Sequence, residues 1–116
     1  MKRTGLISGV LLVLTLALAG SAQASTSLVG KVGPGSRLTL RSSNGQAVTR
    51  LRIGTYRIVV SDGSRTQNFH LAGPVTNKAT SLSFVGQVIW TVKLVPGLYR
   101  YSSDRTRQSS GSFRVV

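Results

Sequence analysis

Short bursts of alternating apolar and polar residues recur between residue 37 and the C-terminus. In RLTL, Leu38 and Leu40 fall on one side, with Arg37, Thr39 and Arg41 on the other. In TYRIVV, Tyr56, Ile58 and Val60 share a face and Arg57 takes the opposite one. QVIWTVKL groups Val88, Trp90, Val92 and Leu94 and leaves Gln87, Thr91 and Lys93 outward, and SFRVV alternates through Phe113 and Val115. Successive strand side chains point to opposite faces, so each burst predicts a strand with one buried side. No stretch beyond residue 25 has an apolar period suited to a helix of useful length.

The punctuation agrees. Asn44-Gly45 in SSNGQA predicts a two-residue hairpin, and Pro96-Gly97 predicts a type II turn with glycine at the position of positive φ. Asp62 in SDGS reads as an Asp-Gly turn residue. Short strands with turn signals about every ten residues predict an all-β domain, a Greek-key β-sandwich. The in-phase aromatics Tyr56, Trp90, Tyr99, Tyr101 and Phe113 are its expected core. LRIGTYR (51–57) and LVPGLYR (94–100) share the pattern L-x-x-G-x-Y-R, each followed by a Ser-Asp pair. Two copies are too few for a repeat architecture and read as two equivalent strand starts.

The first residues follow another rule. Lys2 and Arg3 precede the apolar run LISGVLLVLTLALAG, and small residues stand at Ala22 and Ala24. This is the pattern of a secretory signal peptide over residues 1–24, leaving a domain of residues 25–116 with no transmembrane segment after cleavage. LAGS has Ser21 where a lipoprotein signal would carry its lipidated cysteine, which excludes that anchor. The expected location is secreted, periplasmic or elsewhere in the cell envelope. With no cysteine in the chain, no disulfide supports the domain there.

Charge adds the functional clue. Without Lys2 and Arg3, 13 basic residues face only Asp62 and Asp104, a net charge of +11 with no glutamate. That balance suits an anionic polymer, lipid headgroups or an acidic protein. Arg37, Arg41, Arg57, Arg100 and Arg114 fall on outward strand positions, and Arg105 and Arg107 fall in the loop DRTR. These seven are the candidate anion-binding residues. No recognition helix or aromatic nucleic-acid motif accompanies them, so specific nucleic-acid recognition is not expected. Catalysis is not expected either. One histidine, two aspartates and no G-x-S-x-G turn supply no acid–base pair or nucleophile site.

NFHLAGP, VIWTVKLVPGLYRYSSD and the terminal GSFRV together resemble bacterial cupredoxin-like domains, the plastocyanin-type β-sandwiches that carry blue copper. The resemblance runs from LVGKVGPG to the end. It implies a first histidine ligand in the Asn-Phe-His strand. It places Cys, His and Met ligands in one loop after the penultimate strand, closed by Gly-x-Phe. Carried over, the histidine is His70, the cysteine position is Ser103, the second histidine falls on or beside Thr106, and the methionine falls on Ser109 or Ser110. The chain has no cysteine and its one methionine is Met1, so only His70 keeps its family identity. The resemblance thus implies a degenerate copper site and no cofactor. Ser103 is expected on the same side as Tyr99 and Tyr101, close to His70. His70 itself is expected to be neutral and structural, beside a polar loop that offers it no partner. The leading reading is a basic binding module for an anionic partner. The alternatives are a copper-binding or electron-transfer protein with an atypical site around His70, and a structural subunit of an envelope complex.

Overall fold

The computed structural model describes residues 26–106 and 111–116, and the predicted signal peptide lies outside them. Nine strands are present: β1 (Thr26–Val32), β2 (Leu38–Ser42), β3 (Arg50–Leu51), β4 (Gly54–Asp62), β5 (His70–Gly73), β6 (Thr76–Ala79), β7 (Gly86–Leu94), β8 (Gly97–Ser102) and β9 (Gly111–Val115). The alternating stretches lie in strands except at their ends: Arg37, expected on a strand, precedes β2, and Val116 follows β9. One sheet has the order β2-β1-β4-β7 and the other β3-β9-β8-β5-β6. Neighbours are antiparallel except β1 with β4 and β3 with β9, where long crossovers bring strands together in parallel. The two mixed sheets form an all-β sandwich, and among the described residues no helix is long and apolar enough to cross a membrane.

The core is the set of inward positions from both sheets. Leu28, Leu40, Ile58, Val60, Leu94, Phe69, Leu71, Tyr99, Phe113 and Val115 are almost wholly buried, joined by Tyr56, Trp90 and Tyr101. Phe69 stacks on Tyr101 with centroids 5.6 Å apart, and Tyr99 stacks on Phe113 at 5.2 Å. These rings need room on the neighbouring strand. A Cβ at Gly73 would lie 2.2 Å from the Tyr99 ring, and one at Gly111 would lie 2.4 Å from Tyr101. Glycine is therefore required at both places by packing.

The repeated L-x-x-G-x-Y-R pattern has a common geometry. Tyr56 Oη donates to the Arg52 carbonyl at 2.8 Å, and Tyr99 Oη donates to the Val95 carbonyl at 2.9 Å, each four residues back. The glycine between, Gly54 at φ 154° or Gly97 at φ 146°, lets the chain turn under the ring. Each copy is a tyrosine corner opening a strand, β4 in one sheet and β8 in the other.

One turn departs from expectation. Asn44-Gly45 is not the centre of a two-residue hairpin. The Gly45 amide donates to the Ser42 carbonyl, and the Ser42 amide to Gln46, enclosing a three-residue loop with Gly45 at φ 91°. After a single bridge between Arg41 and Ala47 the chain leaves for the other sheet. Val48 turns into the core, and burying it there competes with extending the hairpin.

Candidate functional site at the β5 and β8 end

The turn after β1 and the loops following β4, β6 and β8 gather at one end of the sandwich. There β5 runs beside β8, with His70 opposite Ser102 and Leu71 opposite Tyr101. Because Phe69 and Leu71 point inward, His70 must point outward. Its half-buried ring lies on the solvent face of its sheet. Ser103 is on the other side, fully buried in phase with Tyr99 and Tyr101. The expected orientation of Ser103 holds, but His70 does not face it: the two side chains lie on opposite faces of one sheet.

Asn68 connects them. It is 1 % exposed, and every polar position of its amide is used. Nδ2 donates to the Thr80 carbonyl at 2.8 Å and to Asp104 Oδ2 at 2.9 Å. Oδ1 accepts from the Asp104 amide at 2.7 Å and from the Ser103 hydroxyl at 3.4 Å. Ser103 Oγ in turn accepts from the amides of Asn68 at 3.3 Å and Arg105 at 3.1 Å. One buried amide thus fastens the start of β5, the loop after β6 and the loop after β8.

The loop also supplies the partner that the sequence reading denied to His70. Asp104 Oδ1 lies 2.7 Å from Nδ1, and Asn77 Oδ1 lies 2.5 Å from Nε2. An acceptor at each ring nitrogen favours the protonated form. The Asp104 carboxylate first, and the Asn77 carbonyl after it, raise the imidazole above its ordinary 6.5, against a lowering by partial burial. The expected hydrogen-bonded, structural His70 thus has its partner in the loop, and its ring takes up a proton more readily than a free imidazole does.

This has a measurable consequence. A histidine whose folded pKa is raised contributes stability that is fully present below about pH 6.5 and is lost as pH climbs through the folded value. The thermal midpoint should therefore fall as pH rises above about 6.5. Asp104→Asn should flatten the dependence. An unchanged pH profile in that variant would show that the pair does not govern it.

Two other polar groups lie near this end. Gln67, in phase with Phe69, is buried with Oε1 unpartnered among the described residues. Asp62 closes its turn by accepting the Ser64 amide at 2.9 Å, as its Asp-Gly reading implied. Burial raises the Asp62 carboxyl, partly offset by the Ser64 amide and the Thr80 hydroxyl.

Comparison with known proteins bears on the fold. Reduced rusticyanin superposes with a TM-score of 0.57 at 16 % identity, over 85 % of this chain and 87 % of that one. A second rusticyanin structure, described as a copper protein, gives 0.58 at 15 % identity over 86 % of each chain. Rusticyanin from Thiobacillus ferrooxidans gives 0.54 at 18 % identity, over 78 % of this chain and 76 % of that one. The fold is cupredoxin-like. No family model and no curated protein matches the sequence.

On this cupredoxin-like frame the residues present do not fit a blue-copper centre. Such a centre needs a thiolate and two imidazoles on one cavity. The chain has no cysteine and a single histidine. The ring of that histidine points away from Ser103, and both its nitrogens are engaged. Among the described residues no three His, Cys, Asp or Glu side chains converge. Thr106 is half-buried in the loop, while Arg107, Ser109 and Ser110 lie outside the described residues.

The candidate arginines do not form one patch. Arg37 and Arg105 lie at the Asp104 end, Arg41 and Arg57 on the outer face of the first sheet, and Arg100 and Arg114 on that of the second. All six are exposed. Arg50 and Arg52, absent from the candidate set, are exposed near Arg114, and Arg50 stands directly opposite it across the β3–β9 pair.

Proposed function

We propose that the chain is a secreted, non-catalytic, basic module that binds an anionic partner in the cell envelope or outside it, without a type 1 copper site. The observation that carries this reading is the charge balance in its structural setting. Thirteen basic residues follow the predicted cleavage point, against two aspartates. Asp62 is buried on its own turn, and Asp104 is tied to His70 and Asn68. Like-charged arginines directly opposite on a sheet, such as Arg50 and Arg114, repel one another. A bound anion relieves that repulsion. The same network supports the non-catalytic reading, because the Ser103 hydroxyl and both His70 nitrogens already serve the fold.

A pull-down from the organism's own envelope fraction, using the segment from Ser25 onward, tests the proposal. Contacts made by neutralising anionic groups release counterions and weaken steeply with salt. Partners should be retained at low ionic strength and released at high. No retention at low salt, or the same partners held at high salt, would contradict it.

A further inference from the structure

The opposite end of the sandwich has a different chemistry. The β3–β4, β5–β6 and β7–β8 turns converge there, alongside Val116. Gly97 and Pro74 are so close that a Cβ on Gly97 would lie 2.5 Å from the proline ring. The Ile53 amide donates to the Val116 carbonyl at 3.0 Å. Large apolar side chains project from this end: Val75 is 85 % exposed, Ile53 58 % and Leu98 48 %. Both aspartates lie at the far end, where β4 finishes and where the chain leaves β8. Exposed cations border the apolar tips: Arg52 beside Ile53, Arg50 and Arg114 beside Leu98, and Lys93 beside the start of β4.

Val75 is the least expected of these residues. It occupies the second position of the two-residue Pro74-Val75 turn, with φ at +50°. That position ordinarily takes glycine or asparagine, and a β-branched residue there is strained. The fold thus holds an apolar side chain almost fully in water at a place where a small or polar residue would be more stable. Leu82, Val85 and Ile89 are also exposed, but they lie toward the Asp62 end, away from the Pro74-Val75 turn.

We infer that this end is a membrane-docking surface, with Val75, Ile53 and Leu98 entering the interface of an anionic lipid bilayer and the flanking arginines and Lys93 meeting its headgroups. Apolar tips inside a cationic rim match a surface that is apolar below and anionic above. A soluble polyanion offers nothing to the tips. The inference rests on the anion-binding reading and assigns it a partner and a face.

The test uses the segment from Ser25 onward, since every described core residue lies between Leu28 and Val115. Sedimentation with phosphatidylglycerol vesicles should show binding that phosphatidylcholine vesicles do not support. Val75→Asn suits the positive φ and leaves the charge unchanged, so the fold should survive. It should weaken vesicle binding about tenfold, the loss expected for one buried aliphatic side chain, while leaving heparin binding unaltered. The absence of native cysteine allows a site-specific probe. An environment-sensitive dye on Val75→Cys should brighten with anionic vesicles, and the same dye on Ser36→Cys, in the turn after β1, should not. Equal vesicle binding by Val75→Asn and wild type would overturn the inference. Heparin binding without vesicle binding would overturn it while sparing the anion-binding reading, and binding to neither would remove both.

Discussion

Asn68→Ala is expected to destabilise the domain by about 2–4 kcal/mol in chemical denaturation, because each buried group left without a partner costs about 1–3 kcal/mol. The substitution removes the acceptor for the Asp104 amide and a donor to the Thr80 carbonyl. It also frees the Asp104 carboxylate from Nδ2, so the alignment with His70 loosens. The pH dependence assigned to that pair should weaken in the same variant. A loss below about 1 kcal/mol would mean that water replaces the amide and that the loop is not fastened there.

Trp90→Ala is expected to cost about 3–5 kcal/mol. Trp90 faces Ile58 across β4 and β7, and its ring lies 6.2 Å from that of Phe69, which bridges to Tyr101 in the other sheet. Truncation therefore opens a cavity between the sheets that rigid strands cannot close. With no disulfide to hold the sandwich, the loss is a large share of the stability of a domain this small. A change below about 1 kcal/mol would place the core elsewhere.

Alternation made the sandwich readable. Tyr56, Trp90, Tyr99 and Phe113 are inward because their phase is, and Ser103 could be placed inside by counting from Tyr101. The same count, applied to NFHL, puts Phe69 and Leu71 inside and His70 outside. The copper-loop resemblance drew His70 toward Ser103 against its own phase. Asp104 then follows, since it continues the outward phase of Arg100 and Ser102, and Ser102 is the strand partner of His70. What the sequence could not disclose is the role of Asn68. Its four hydrogen bonds depend on where three loops far apart in the chain come to rest. The Asn44-Gly45 hairpin failed for a related reason, since burying Val48 outweighs a local turn preference. The tyrosine corners were visible as a repeated motif, but their hydrogen bonds were not.

The proposed function depends on electrostatic attraction to an anionic partner. The most direct measurement of it is the dependence of heparin affinity on salt for the segment from Ser25 onward. Each neutralised anionic group contributes roughly 0.7–0.9 to the slope of log affinity against log salt for nucleic acids. Engagement of one arginine-bearing face should therefore give a falling line with a slope of about −3 or steeper. A flat line, or no binding at low ionic strength, would contradict the account.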